Sequence, residues 1–142
     1  MPPHPTSRRR GRERALQCLY GIDHTQYDYE EVLEDFWAQL PTKPGPRDYA
    51  EKLIRGVREH VGELDHHIHG ALQNWTPERV GPIERNAIRI AVYEMLHVSD
   101  VPSRVAINEA IEVVKLFGAD EATRFVNGVL DRLRRKFEGE DA

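Results

Sequence analysis

Apolar residues recur at helical spacing along almost the whole chain, and no segment shows the sustained alternation of apolar and polar residues that marks a half-buried strand. Residues 83–96 form the most apolar segment. Because their apolar side chains cover most of the helical circumference, we expect this helix to be buried on several sides. Two amphipathic segments follow Asp100. The pattern predicts an all-α protein of six or seven helices.

Polar caps and glycines predict where several of these helices begin and end. Ser7 is the expected cap of the first helix. Residues 49–72 keep helical register, which fits one long helix or two helices that meet at Gly62. Gly118 is expected to close the helix that follows the Asp-Val-Pro turn, and Asp120 is expected to cap the last helix.

The chain is long enough for one domain with a substantial core. Residues 1–6 contain three prolines and are predicted to be a disordered tail. We expect one helical domain at residues 7–137, with an N-terminal helical half at about residues 7–75 and a C-terminal half at about residues 82–137. Residues 138–142 are expected to fray.

Several functional classes are disfavoured by the sequence. No apolar run approaches the roughly 20 residues of a membrane span, and the N-terminus lacks the apolar centre of a secretory signal. The single cysteine, Cys18, cannot form an internal disulfide and is expected to be a small core residue. No phosphate-binding glycine loop or nucleophile motif is present. We therefore expect a cytoplasmic protein without a cofactor and without catalytic activity.

A histidine-rich tract contains His60, His66, His67 and His69. His66 and His69 would share a helix face, but no cysteine or carboxylate at zinc-like spacing accompanies them. Exposed helical histidines explain this tract, and no metal site is predicted.

The net charge of −4 conceals an asymmetry between the N-terminus and the rest of the chain. The first 14 residues carry five arginines and one glutamate, a charge of +4, so the remainder carries −8. A basic segment on an acidic body suggests a polyanion contacted locally, although an ordinary solvated tail fits the charge run as well. Arginines early in a helix also oppose its dipole, so they are not there to stabilise it.

The last predicted helix contains a local contradiction, because Asn127 and Gly128 interrupt an amphipathic run. Glycine inside a helix costs roughly 1 kcal/mol relative to alanine. Such a conflict is typical of a position that allows close backbone approach or carries a working polar group. Phe125 lies just off the apolar stripe, where it could stack on a base of single-stranded RNA or belong to the edge of the core.

Specific sequence motifs then converge on one family. They are the arginines at residues 8–10, IERNAIRIAVYE at residues 83–94, DVP at residues 100–102, VAINEA at residues 105–110, KLFG at residues 115–118 and FVNGVLD at residues 125–131. In this combination the chain closely resembles the NusB family of bacterial transcription antitermination factors. The resemblance covers roughly residues 8–133, although residues 26–82 match poorly and supply no site residue.

The resemblance implies an all-helical bundle of two small subdomains without enzymatic activity. Members of the family bind the single-stranded boxA element of ribosomal RNA leader transcripts as a heterodimer with a ribosomal protein, called NusE in this role. That pair joins other Nus factors on RNA polymerase and suppresses premature termination.

The resemblance also implies individual roles. Tyr20 and Glu84 match positions that face the ribosomal-protein partner, and the arginines of residues 8–12 match an arm that contacts RNA phosphates. The full set of implied RNA-binding residues is Arg8, Arg9, Arg10, Arg12, Arg104, Glu121, Arg124, Phe125 and Asn127.

Two other functions stay open at this point. The chain could be the RNA-binding or scaffold module of an RNA-modification system, although no cofactor loop supports this. It could also be an RNA-free scaffold, since members of the family self-associate and a homodimer could bury the arginine arm.

Overall fold

The computed structural model describes residues 5–73, 76 and 79–140, and this part of the chain contains seven α-helices and no strand. The predicted all-α fold is therefore confirmed. In chain order the helices are α1 (Pro5–Asp23), α2 (Tyr29–Gln39), α3 (Pro44–Glu59), α4 (Val61–Ala71), α5 (Pro82–His97), α6 (Ser103–Phe117) and α7 (Ala122–Phe137).

The first helix begins at Pro5, two residues before the expected cap. Proline is favoured in the first turn of a helix, because a backbone N–H there would have no acceptor within the helix and its absence costs nothing. Residues 1–4 of the predicted tail lie outside the described residues. Within the described ranges, no helix is long and apolar enough to span a membrane.

The chain divides into two compact units, Met1–Arg55 and Gly56–Ala142. The boundary lies inside α3, whereas the sequence suggested a division near residues 76–81. The difference arises because α4 packs on α5 and α7, and so belongs with the second unit. Helical periodicity alone does not reveal which helices a given apolar stripe covers.

The first unit has a core built from α1, α2 and the beginning of α3. Cys18 is buried in it, and burial, with Glu51 as a smaller cause, raises the pKa of its thiol to about 12. It is the small core residue that the sequence indicated. The buried side chains of this unit include Ala15, Leu16, Leu19, Ile22, Leu33, Trp37, Tyr49, Ala50, Leu53 and Ile54.

The second unit is organised around α5, which packs against α4, α6 and α7. Arg89 of α5 donates two hydrogen bonds to the Asp65 carboxylate of α4, at 2.8 and 2.7 Å, and so ties these helices together. The apolar core includes Ala87, Ile88, Ala91, Val92, Ala106, Ile107, Ala110, Val114, Val126, Val129, Leu130 and Leu133.

The break between α3 and α4 lies at His60 and not at Gly62. His60 leaves helical geometry, and its Nδ1 donates to the Gly56 carbonyl at 2.9 Å. Gly56 is required at its own position because a Cβ atom there would overlap the Tyr93 ring. Gly62 has open space around it inside α4, so nothing forces a break there.

Both ends of the α6–α7 connection differ in detail from the expectation. Gly118 closes α6, but its φ of −118° is extended and not left-handed. A Cβ atom there would lie 3.1 Å from the Val114 carbonyl oxygen, so crowding favours glycine. The Asp120 carbonyl, and not its side chain, accepts from the Thr123 N–H and hydroxyl at the start of α7. Glu121 occupies the cap position.

Two glutamates of the segment expected to fray contact the last turn of α7. Arg134 is bound by the carboxylates of Glu138 and Glu140, each 2.7 Å away. Gly139, with φ of +74°, adopts the left-handed conformation that glycine favours after a helix. Residues 141–142 lie outside the described residues.

Candidate nucleic-acid interface

The arginines of residues 8–12 lie in the first turns of α1 and fall into two groups. Arg8 and Arg12 are one helical turn apart, and both guanidinium groups lie over the ring of Tyr49, 4.8 and 5.6 Å from its centre. Arg12 has only 4% of its surface exposed, and Arg8 is half-buried. This face of α1 is therefore packed against α3.

Gly11 explains how α1 reaches Tyr49 so closely. A Cβ atom at position 11 would lie 3.0 Å from the carbonyl oxygen of Pro46 and 3.1 Å from the Cβ atom of Tyr49. Both contacts are with groups held by the α3 backbone, which cannot swing aside. Glycine thus allows the close approach that places two arginines on one aromatic ring.

Arg9 and Arg10 form the exposed group. Arg10 makes an ion pair with Glu13 at 3.2 Å, of the weak surface type. Arg14, further along, is half-buried and donates to Thr42 and Gln17. Arg9 and Arg10 are consequently the members of the arm that a phosphate can reach from solvent.

The burial of Arg12 departs from the expectation that it contacts RNA phosphate. A side chain with almost no exposed surface cannot present its guanidinium group to a phosphate without leaving its place over Tyr49. Its position is that of a packing residue. The sequence could not reveal this, because Arg12 differs from its neighbours only in which helix face the fold covers.

The beginning of α7 presents a second polar surface, in the other unit. Glu121, Arg124 and Asn127 are exposed, and Phe125 is half-buried. Val126 is fully buried and anchors this part of the helix in the core of its unit. Phe125 is thus neither fully exposed nor sealed inside the core.

Arg104 is exposed in the first turn of α6. Asn108, one turn later on the same helix, is also exposed and was not singled out by the sequence. Its exposure follows from its place opposite the buried Ala106 and Ala110. Because α6 packs against α7, Arg104 belongs to the same unit as the polar surface of α7.

The two residues expected to face a protein partner have different surroundings. Tyr20 is 40% exposed on α1, and its ring stacks on that of His24 with a centroid distance of 4.3 Å. Glu84 is half-buried at the start of α5, where its carboxylate lies against Gly81 and Gly118. A carboxylate in the first helical turn is favoured by the helix dipole.

A groove of about 660 Å³ lies in the first unit between the end of α1 and α2. The sequence does not reveal this groove, because the groove forms only when the two helices pack. Three exposed carboxylates and the 74% exposed Tyr27 line it, giving an acidic surface with one aromatic ring. The lining residues are Gly21, Thr25, Tyr27, Glu31, Val32, Glu34, Asp35 and Ala38.

The histidine tract divides into exposed and packed members. His66 and His69 are exposed as expected, whereas His60 and His67 are half-buried. His67 packs edge-on against Phe137, and burial followed by the charge of Lys136 lowers its pKa. Over residues 5–73, 76 and 79–140, no group of three or more potential ligands could hold a metal ion.

Comparison with known sequences gives a consistent result over almost the whole chain. A sequence profile of the NusB family matches residues 9–135. The transcription antitermination protein NusB of Anaeromyxobacter dehalogenans is 45% identical over 130 residues, which cover 90% of this chain and 91% of that protein. NusB of Bacillus subtilis is 41% identical over 131 residues, which cover 92% of this chain and 97% of that protein.

Solved structures agree with the sequence comparison. The crystal structure of the antitermination factors NusB and NusE in complex with double-stranded RNA contains a chain that matches with a TM-score of 0.82 and 26% identity, over 94% of this chain and 99% of that one. T. maritima NusB matches with a TM-score of 0.79 and 34% identity, over 97% of this chain and 99% of that one.

Proposed function

This chain belongs to the NusB family, and from that premise we propose that it binds a boxA-type RNA of ribosomal RNA leader transcripts together with the ribosomal protein NusE. It is a transcription antitermination factor and not an enzyme. The observation that carries the proposal is the match to NusB proteins at 41–45% identity over nine-tenths of the chain.

In the first unit, we propose that Arg9 and Arg10 contact RNA phosphates. Their exposure on the first turns of α1 supports this role, as does the position of Arg8 and Arg12 over Tyr49, which fixes the helix that carries them. Phosphate contacts release counterions and give affinity, but they carry no sequence information. This part of the interface therefore supplies attraction.

In the second unit, we propose that the start of α7 reads bases. The half-buried Phe125 would stack its ring on a base, and the exposed Asn127 amide has both donors and acceptors for a base edge. Arg124 and Arg104 would hold the phosphates of the same strand. Glu121 can accept a hydrogen bond from a base amino group, and its charge repels phosphate. It would therefore favour RNA with an amino group at that position, while lowering the affinity for RNA in general.

The protein partner is proposed to be NusE, in keeping with the NusB–NusE complex among the structural relatives. The exposed Tyr20 and the charge of −8 outside the first 14 residues suit a basic protein surface. Through this pair the chain would join other Nus factors on RNA polymerase. A role in transcription of ribosomal RNA supports a cytoplasmic location. An RNA-modification module and an RNA-free scaffold are not favoured by the relatives.

The experiment that tests this function measures RNA affinity and mass in one set of mixtures. Fluorescence anisotropy with a single-stranded boxA-like RNA should show weak binding by the protein alone and tighter binding when NusE is added. The same RNA as a duplex tests the preference for a single strand, because the related complex holds double-stranded RNA. Native mass spectrometry should give a 1:1:1 assembly. A homodimer that binds neither NusE nor RNA would contradict the proposal.

A further inference from the structure

The groove between the end of α1 and α2 combines small apolar residues with acidic side chains and one aromatic ring. Its volume is about 660 Å³. Gly21, Val32 and Ala38 contribute no polar side-chain atoms to its lining, so this part can hold the aliphatic stem of a long side chain. Tyr27, which is 74% exposed, adds the aromatic ring. The groove therefore offers apolar contact and negative charge in one place.

The negative charge comes from one face of α2, where Glu31, Glu34 and Asp35 follow at spacings of four and three residues. All three are exposed, and within the described part of the chain none of their carboxylates is in an ion pair or a hydrogen bond. The neighbouring Glu30 carboxylate, in contrast, is bound by Arg55. Because like charges at this spacing weaken a helix, the stability of α2 does not account for the cluster.

An extended basic segment matches the groove in chemistry and in spacing. Lysine and arginine carry a cation on an apolar stem, and that cation can also lie over a tyrosine ring. Glu31 and Asp35 are one helical turn apart, about 6 Å along the axis of α2. In an extended chain, side chains two residues apart point the same way and lie about 6.6 Å apart. Two basic residues separated by one residue can therefore each reach one of these carboxylates.

The groove lies on a different face of α1 from the surface proposed for NusE. Tyr20 and His24, one turn apart with stacked rings, belong to the NusE surface. Gly21 and Thr25, which line the groove, each follow one position later, about 100° around the helix. Both surfaces can therefore be occupied at the same time.

We propose that this groove binds an extended segment of a partner protein other than NusE, in which two basic residues are separated by one residue. The inference goes beyond the proposed function and does not depend on RNA binding. RNA itself does not suit the groove, because its phosphates would be repelled by three unpaired carboxylates.

The first experiment measures binding of two fluorescein-labelled peptides, GSRARSG and GSRRASG, by anisotropy at low salt. The peptides have the same composition and charge, and only the first has the alternating arginines. We expect GSRARSG to bind about fivefold more tightly, because one of two surface ion pairs is lost with the other peptide. Saturating NusE should leave the affinity for GSRARSG unchanged.

The second experiment uses variants of the groove with matched controls. Glu31→Gln/Asp35→Asn should lower the affinity for GSRARSG about tenfold, whereas Asp48→Asn/Glu59→Gln, which removes the same charge from exposed positions of α3, should not. Gly21→Gln places a side chain in the groove without a change of charge, and a Cβ atom at that position meets no heavy atom within 4 Å. It should lower the affinity about fivefold or more by occupying the groove.

Gly62→Gln, at an open position of α4, is the control for Gly21→Gln and should bind the peptide as the unmodified protein does. Circular dichroism checks that each variant is folded, and Ala38→Gln at the exposed end of α2 replaces Gly21→Gln if that variant unfolds.

Several results would overturn the inference. Equal binding of the two peptides, or an equal loss in the α3 control, would mean that only diffuse charge attraction acts. Competition by NusE would assign the groove to that protein. Release of a homodimer by the peptide in native mass spectrometry would show that a second copy of this chain occupies it. Unchanged peptide binding by the filled-groove variant would exclude the groove altogether. RNA and NusE binding by the same variants should be unaffected, so the proposed function is tested separately.

Discussion

Arg12 and Tyr49 should be energetically coupled in the folded protein. The Arg12 guanidinium lies 5.6 Å from the centre of the Tyr49 ring, and the two residues are only 4% and 5% exposed. A cation over an aromatic ring contributes about 0.5–1 kcal/mol at exposed sites and about 2 kcal/mol when desolvated. Because this pair is buried, we expect a coupling free energy of about 1–2 kcal/mol between Arg12→Met and Tyr49→Leu.

Urea unfolding of the two single variants, the double variant and the unmodified protein gives this coupling as the difference from additivity. A second cycle with Arg9→Met, at an exposed position of the same helix, should give a coupling below about 0.5 kcal/mol. A value near zero for the Arg12 cycle would mean that the Tyr49 ring does not hold this guanidinium. In RNA titrations, Arg12→Met should leave the salt dependence unchanged, because a packing residue releases no counterions.

Three further changes have definite expected results. Gly56→Ala should lower the free energy of unfolding by about 2–3 kcal/mol in urea, because its methyl overlaps the Tyr93 ring, and Tyr93→Leu in the same chain should remove most of that loss. His67 has a lowered pKa from burial and Lys136, so the unfolded chain takes up its proton first as pH falls below about 6.5. Stability, measured as the urea midpoint of unfolding, should therefore fall from pH 7.5 towards pH 5.5. His67→Gln should make this dependence on pH weaker, and an equal dependence would exclude His67 as the cause. Phe125→Ala should weaken RNA binding by about 1–3 kcal/mol in anisotropy titrations if a base stacks on the ring. An unchanged affinity would show that Phe125 serves only to pack against the core.

The helices themselves could be predicted from the sequence because each carries a periodic apolar stripe. The apolar residues 83–96 became the buried helix α5. The boundary between the two units could not be predicted in this way. It depends on the packing of α4 against α5 and α7. An apolar stripe shows which face of a helix is buried, but it does not show which other helix covers that face.

The candidate site was predictable by residue type more readily than by exposure. Arg9 and Arg12 look alike in the sequence, yet Arg9 is exposed, whereas Arg12 lies over Tyr49 with less than 5% of its surface exposed. The cause is the close approach of α1 to α3 at Gly11, which is a tertiary contact. Gly128 is the opposite case, because its conflict with helix propensity is visible in the sequence, and among the described residues no neighbour would crowd a side chain there.

The salt dependence of RNA binding shows whether Arg9 and Arg10 contact RNA phosphates. The Arg9→Ala/Arg10→Ala double variant is compared with Lys43→Ala/Lys52→Ala, which removes the same charge from exposed positions of the same unit. If the two arginines contact phosphates, the slope of log affinity against log salt should decrease in magnitude by about 1.4, since each contact on a single strand contributes about 0.7. The lysine variant should keep the slope of the unmodified protein. An arginine variant with an unchanged slope would contradict the account.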